Sequence, residues 1–126
     1  MLYQIFRFRA LLWTFAIFII VGIPGNQIPK VSDWLDVFQP DKIVHIGLFA
    51  PLAFLWSSFF YERDYSKLKS ILFSVVFGMF YAISTELLQF YVFIGRNGNI
   101  ADALADIIGL FLGIVIWIKW PKKINT

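Results

Sequence analysis

The sequence contains no cysteine and only one histidine among its 126 residues. The missing thiols exclude cysteine nucleophiles, thiolate metal sites and disulfide bonds. Charged residues are also scarce, at 15% of the chain, whereas 60% of the residues are hydrophobic and 20% are aromatic. A water-soluble domain of this length has too little interior to bury so much apolar surface. The composition therefore predicts one domain, residues 1–126, inside a lipid bilayer.

The chain also lacks the short motifs of several enzyme classes. It has no glycine-rich phosphate loop, no HExxH zinc motif and no serine in a nucleophile-like setting. The formal net charge of +3 could suggest a nucleic-acid partner, but the basic residues stand at the ends of apolar segments. That placement is typical of membrane topology, so we expect no nucleic-acid partner.

Four apolar segments predict an all-α, polytopic bundle of four transmembrane helices. The spans are expected at about residues 8–24, 42–60, 70–94 and 100–120. Pro24 ends the first span, and Asp41 and Asn99 are expected as N-caps of the second and fourth.

The segment between the first two spans has a helical pattern of its own. Its apolar residues recur at i, i+3, i+4 and i+7: Val31, Trp34, Leu35 and Phe38. This spacing predicts a short amphipathic helix lying in the membrane interface. It is either an ordinary interfacial anchor or a lid over a site beneath it.

Most basic residues would lie on one side of a four-span topology, together with both termini and the 61–69 loop. The positive-inside rule therefore places both termini in the cytoplasm, and the interfacial helix and the 95–99 turn outside. Small residues recur every fourth position on the third span, at Ser70, Ser74, Gly78 and Ala82, and on the fourth, at Ala101, Ala105, Gly109 and Gly113. Such stripes pack neighbouring helices, either within one bundle or in a homo-oligomer.

The most unusual feature is a group of polar residues at membrane depth. By insertion scales, a charged side chain at the centre of a membrane helix costs about 2.5–3.5 kcal/mol. The last two spans and their connection nevertheless contain Glu86, Gln89, Arg96, Asp102 and Asp106. Asp41, Lys42 and His45 at the start of the second span join them, because topology places all these residues in the outer half of the bundle.

Three interpretations of this group are open. It is structural if Arg96 and Lys42 neutralise Glu86 and Asp102 in either pairing while Gln89 bridges helices. It is functional if His45 and Glu86 act as catalytic acid and base, since they could exchange protons near neutral pH. The remaining residues would then bind an anionic ligand: Asp41, Lys42, Gln89, Arg96, Asp102 and Asp106.

The third interpretation is a divalent cation held by oxygen-rich side chains and the histidine. The ligands would be His45, Glu86, Asp102 and Asp106. No ligand-spacing motif supports such a site, so no metal and no other cofactor is predicted. Asp102 is also explained as an acid in the first turn of its helix, whereas Asp106 lies too deep for that explanation alone.

The sequence resembles the VanZ-like family of small bacterial membrane proteins. The resemblance rests on PDKIVHIGLFAPLAFL at 40–55, ELLQ at 86–89, GR at 95–96 and IADALADIIGLFLG at 100–113. The family residues would be Asp41, Lys42, His45, Glu86, Gln89, Arg96 and Asp102. Asp106 departs from the pattern, because the family usually has asparagine there. The resemblance implies a bacterial inner-membrane protein and, for the founding member, a link to teicoplanin resistance.

The leading hypothesis is a membrane protein whose outward-facing polar pocket binds or modifies an anionic amphiphile of the cell envelope. The partner would be a membrane lipid or a lipid-linked envelope precursor. Two alternatives are a non-catalytic helper that binds a partner through the interfacial helix, and a small proton- or ion-coupled carrier. The residues alone leave open whether the pocket catalyses a reaction.

Overall fold

The computed structural model describes residues 8–24, 27, 39–93, 95 and 98–120. The described residues form four α-helices and no strand: α1 (Arg9–Val21), α2 (Pro40–Tyr61), α3 (Lys67–Tyr91) and α4 (Ile100–Lys119). The helices α2, α3 and α4 are long and apolar enough to cross a membrane. The predicted all-α polytopic fold is therefore confirmed. The interfacial helix predicted over 31–38 lies outside the described residues.

The first helix is the shortest of the four. The 13 residues of α1 rise about 20 Å, less than the roughly 30 Å thickness of a hydrocarbon core. It is held to the bundle by hydrogen bonds that run between helices. Trp56 Nε1 donates to Thr14 Oγ1 at 3.0 Å, and Tyr81 Oη donates to the Thr14 carbonyl at 2.6 Å. Thr14 therefore connects α1 to both α2 and α3.

Local sequence explains where the other helices begin. Ser66 Oγ accepts a hydrogen bond from Lys69 N at the start of α3, and Asn99 Oδ1 accepts one from Ala101 N at the start of α4. The predicted N-cap at Asn99 is confirmed. The one at Asp41 is wrong, because α2 already begins at Pro40. Proline suits the first helical position, where the N–H that it lacks would have no partner.

The most extensive helix contact in the described part of the chain joins α2 to α4. The small-residue stripe of α4 makes this close approach possible. A Cβ atom on Gly109 would lie 2.9 Å from the carbonyl oxygen of Ile46, and one on Gly113 would overlap the carbonyl oxygen of Ala50. Glycine at these two positions lets the α2 backbone lie directly against α4.

The stripe of α3 is also buried inside the bundle. Ser74 Oγ donates to the Ala53 carbonyl of α2 at 2.9 Å, and Gly78 faces Leu110 of α4. The two stripes therefore pack helices of the same chain. Many large apolar side chains point outward instead, among them Phe15, Val76 and Phe111, each more than half exposed. Such an apolar exterior is expected of a protein surrounded by lipid.

Candidate functional site

Ionisable side chains are buried at only one end of the described bundle. This end is where α2 and α4 begin and α3 finishes, so three helices contribute to it. We refer to the residues gathered there as the polar cluster: Lys42, His45, Glu86, Asp102 and Asp106. The fold thus brings together five of the eight residues that the sequence predicts for the site, from three different helices.

His45 and Asp106 form the closest contact in the interior of the polar cluster. His45 Nδ1 lies 2.7 Å from Asp106 Oδ1, and Asp106 has no exposed surface. A neutral imidazole that donates its Nδ1 hydrogen to this carboxylate presents a lone pair at Nε2. Asp106 therefore orients the ring of His45, and in a neutral ring next to an ionised carboxylate this contact places the hydrogen on Nδ1.

Lys42 pairs with carboxylates of its own helix and of α4. Its Nζ atom donates to Asp102 Oδ1 at 2.8 Å and to Asp41 Oδ2 at 2.9 Å. Asp41 is exposed, with 58% of its side-chain surface accessible against 12% for Asp102, so it lies at the edge of the polar cluster rather than inside it. Of the pairings considered from sequence, the structure shows Lys42 with Asp102. Arg96 lies outside the described residues.

Glu86 joins the end of α3 to the start of α4. Its Oε2 atom accepts a hydrogen bond from the backbone N–H of Asn99 at 3.0 Å, and its Oε1 atom lies 3.9 Å from His45 Nδ1. The carboxylate in hydrogen-bond contact with His45 is therefore Asp106 rather than Glu86, the partner considered from sequence. His45 Nε2 in turn faces Asp102 Oδ2 at 3.9 Å, beyond hydrogen-bond distance.

Gln89 has a structural contact away from the polar cluster. Its Nε2 atom donates to the Val21 carbonyl at the end of α1, over 3.3 Å, and the side chain is buried. This contact agrees with the structural interpretation, in which the amide bridges helices, and it joins α3 to α1.

Three side chains of the polar cluster also satisfy the basic geometry of a metal site. One ring nitrogen of His45 and one carboxylate oxygen each from Glu86 and Asp102 lie within 4.8 Å of one another. Imidazole and carboxylate groups together suit divalent transition metals. These are three of the four ligands considered from the sequence, and Asp106 is not part of the set.

An apolar groove opens beside the polar cluster, between the end of α3 and the start of α4. Its volume is about 600 Å³. The apolar side chains of its walls are Ile83, Leu87, Phe90, Tyr91, Ile100 and Ala103. Glu86 also lines the groove, so one carboxylate belongs both to the groove and to the polar cluster. The groove was not predicted, although the exposed apolar residues at positions 83, 87 and 90, three or four apart on α3, are a signal for it.

These features define a small polytopic helical membrane protein with a buried polar cluster at one end of its bundle. The chain belongs to the VanZ/LLP1 family, whose sequence model matches residues 2–121. The family predicted by resemblance is therefore confirmed. Comparisons with curated proteins and with solved structures found no match.

Proposed function

We propose that this protein binds an anionic amphiphile of the bacterial cell envelope. The polar cluster would receive the headgroup of this ligand, and the apolar groove would hold part of its hydrocarbon chain. The observation that carries this proposal is the position of Glu86, which lies at the junction of an apolar groove and a buried polar cluster. A ligand that fits both must itself have an apolar and a polar part.

The expected topology determines which side of the membrane the polar cluster and the apolar groove face. Basic residues of the sequence favour an arrangement in the inner membrane with both termini and the turn between α2 and α3 in the cytoplasm. The polar cluster and the apolar groove then lie in the outer half of the bilayer. A lipid or a lipid-linked envelope precursor of the outer leaflet can enter this pocket sideways from the membrane.

The geometry of His45 also favours a second candidate function, the chemical modification of the headgroup. Asp106 holds the Nδ1 side of the ring, so Nε2 is the atom that would accept a proton from a bound hydroxyl group or water. Glu86 Oε1 lies 3.9 Å from His45 Nδ1, so it would take part in such a transfer through a bridging water or ligand hydroxyl group rather than by direct contact. If His45→Ala and Glu86→Gln proteins that are well expressed retain the cellular phenotype, catalysis at this site is excluded.

Binding is tested with two lipids that have the same chains and different headgroups. Dioleoyl phosphatidic acid is an anionic probe, and dioleoyl phosphatidylcholine is the zwitterionic comparison. Native mass spectrometry of the detergent-solubilised protein is expected to show preferential retention of phosphatidic acid. Equal retention of the two lipids would contradict an anion-selective pocket.

A matched pair of variants tests whether the acyl chain of a bound lipid occupies the apolar groove. Ala103 lines the groove, whereas its neighbour Leu104 is 56% exposed and does not line it. Ala103→Trp would displace methylene groups of the lipid's acyl chain from the groove. Each buried methylene group contributes about 0.8 kcal/mol to binding, so the loss of two weakens binding by roughly tenfold. Leu104→Trp adds the same side chain outside the groove and is expected to leave binding unchanged. Equal effects of the two variants would favour the non-catalytic helper, whose partner binds elsewhere.

The founding member of the family has a link to teicoplanin resistance, and an outward-facing pocket for an envelope lipid is compatible with such a role. Teicoplanin susceptibility of cells with and without the gene, complemented by Ala103→Trp or Leu104→Trp, tests the cellular side of the proposal. Complementation by Leu104→Trp and not by Ala103→Trp is the result that the proposal predicts.

A further inference from the structure

Two hydrogen-bond acceptors face each other inside the polar cluster, one on α2 and one on α4. Because a neutral His45 donates its Nδ1 hydrogen to Asp106, its Nε2 atom carries a lone pair. This Nε2 atom lies 3.9 Å from Asp102 Oδ2, a separation too long for a hydrogen bond. Two acceptors do not bond to each other at any distance, so the pair is complementary to a group that brings hydrogen-bond donors.

The contacts of the two side chains leave both acceptor atoms accessible. Asp102 accepts from Lys42 through its other oxygen, Oδ1, and the hydrogen bond of the His45 ring runs through Nδ1. The side chains of His45 and Asp102 keep 7% and 12% of their surface accessible, whereas that of Asp106 keeps none. A donor group can therefore reach Nε2 and Oδ2 without breaking a hydrogen bond that the described residues make.

The distance between the two acceptors favours a pair of hydroxyl groups on adjacent carbon atoms. The oxygens of such a pair lie about one hydrogen-bond length apart, so they can donate side by side to acceptors separated by 3.9 Å. A single ammonium group directs its N–H bonds at tetrahedral angles, and two acceptors about 2.8 Å from its nitrogen would lie about 4.6 Å apart. The observed separation therefore fits a vicinal diol better than an ammonium group.

Lys42 supplies a donor next to this pair of acceptors. An ammonium group has three N–H donors, and within the described part of the chain Lys42 uses two of them, for Asp41 and Asp102. Its side chain is 23% exposed, so the third donor can reach a phosphate oxygen at the edge of the polar cluster. The polar cluster thus offers one cation to a phosphate and two acceptors to hydroxyl groups.

We infer that the polar cluster recognises an anionic lipid headgroup by a vicinal diol, the two neighbouring hydroxyl groups found in glycerol and in sugars. One hydroxyl group donates to His45 Nε2 and its neighbour donates to Asp102 Oδ2, while Lys42 binds the phosphate. Asp106 is a positioning residue, because it holds the His45 ring with Nε2 toward Asp102. The diol contact rests on the proposed function and deepens it, since a phosphate alone would not use the two acceptors.

Two lipids that differ only in these hydroxyl groups test the diol contact. Dioleoyl phosphatidylglycerol carries the diol, and dioleoyl phosphatidylpropanol has the same acyl chains, phosphate charge and number of headgroup carbons without it. Native mass spectrometry of the full chain in detergent is expected to show about tenfold or stronger retention of phosphatidylglycerol, because two hydrogen bonds are lost with the diol. Retention of dioleoyl phosphatidylinositol above phosphatidylglycerol would also support a diol and would identify a ring rather than glycerol as its source.

The same measurements separate the diol contact from the proposed function. If phosphatidylglycerol and phosphatidylpropanol are retained equally, and both above dioleoyl phosphatidylcholine, the diol contact is overturned and the anionic pocket stands. Equal retention of all three lipids overturns both. Retention of dioleoyl phosphatidylserine above phosphatidylglycerol overturns the diol in favour of an ammonium group. Displacement of phosphatidylglycerol by equimolar glycerol phosphate supports the diol and overturns an amphiphilic ligand.

Variants of the two acceptor residues test the assignment of the atoms. Asp102→Asn keeps an oxygen for Lys42 and replaces the other acceptor with an N–H donor, and His45→Gln removes Nε2. Each is expected to lower the preference for phosphatidylglycerol over phosphatidylpropanol by about tenfold. Glu62→Gln removes an exposed carboxylate at the other end of α2 and, as the matched control, should keep the preference. An unchanged preference in both acceptor variants would overturn the assignment.

Asp106 has a test of its own, because it acts through His45. Asp106→Ala should reduce the preference for phosphatidylglycerol, and Asp106→Asn should restore most of it, since its oxygen still accepts the Nδ1 hydrogen. Equal preferences in these two variants would contradict the positioning role. Circular dichroism identifies any variant that fails to fold, and the comparison of the two lipids on the parent protein then decides the question without it.

Discussion

His45 Nδ1 and Asp106 Oδ1 lie 2.7 Å apart although 61 positions separate the two residues in the chain. The contact joins α2 to α4 inside the polar cluster. Sequences of the VanZ-like pattern usually have asparagine at the position of Asp106, and an asparagine oxygen could accept the same hydrogen bond. The aspartate of this chain retains the contact and adds a negative charge to it.

Removing the Asp106 side chain is therefore expected to destabilise the bundle more than changing its charge. Asp106→Ala leaves the buried Nδ1 hydrogen of His45 without an acceptor, so the unfolding free energy should fall by about 1–3 kcal/mol. Asp106→Asn should lose less than half of that amount, because the acceptor remains. Unfolding in mixed detergent micelles, followed by circular dichroism, gives both values. Equal destabilisation by the two variants would show that the contact depends on charge rather than on the hydrogen bond.

The glycines of α4 and α2 offer a matched test of helix packing. Gly113→Ala places a methyl group against the Ala50 carbonyl and should destabilise the protein by about 1–3 kcal/mol through overpacking. A methyl group on Gly47 would meet no neighbouring helix within 4 Å among the described residues, so Gly47→Ala should be neutral or stabilise α2 by up to about 1 kcal/mol. Apparent melting temperatures of the two variants in one detergent provide the comparison. The packing is wrong if Gly113→Ala is as stable as Gly47→Ala.

Asn99 connects the start of α4 to Glu86 and caps the helix. Asn99→Ala removes the side-chain oxygen that accepts from Ala101 N and should lower stability by about 0.5–2 kcal/mol. Asn99→Ser keeps a capping oxygen and should lose only a few tenths of a kcal/mol. The backbone N–H that donates to Glu86 is present in both variants, so the difference between them isolates the cap. Thermal unfolding is again the measurement, and identical values for the two variants would contradict the cap.

The absence of native cysteine makes the orientation easy to test. Gln39→Cys, next to the start of α2, should react in intact cells with a maleimide that cannot cross the membrane. Lys67→Cys, at the start of α3, should react only after the cells are opened, because the positive-inside rule places this end in the cytoplasm. The reverse pattern of labelling would place the polar cluster on the cytoplasmic side and would contradict the proposed topology.

The fold of this chain was largely predictable because lipid imposes a simple rule on sequence. Long apolar segments ended by proline, asparagine and charged turns predict α2, α3 and α4 directly. The stripe of α4 that includes Gly109 and Gly113 also predicted close helix approach, which the contacts with Ile46 and Ala50 confirm. The beginning of α2 was misjudged because Asp41 and Pro40 both suit a helix start, and the proline took the first position.

Which residues contact one another within the site was less predictable than which residues belong to it. Spacing along each helix placed His45, Glu86 and Asp106 in the outer half of the bundle, but contacts between helices depend on rotations that the sequence does not specify. The structure therefore decides that Asp106 rather than Glu86 contacts His45 and that Lys42 pairs with Asp102. The hydrogen bond from the Asn99 backbone to Glu86 could not be predicted, because any residue except proline supplies that N–H.

Photolabelling with a lipid tests the central claim most directly, because it reports where the chain of a bound amphiphile lies. The probe is phosphatidic acid with a diazirine group in one acyl chain, reconstituted with the protein in proteoliposomes. After irradiation and peptide mapping, label should concentrate on Leu87, Phe90 and Ala103, and Ala103→Trp should remove it from Leu87 and Phe90. Label spread evenly over outward residues such as Phe15, Val76 and Phe111, with no excess in the apolar groove, would contradict the account.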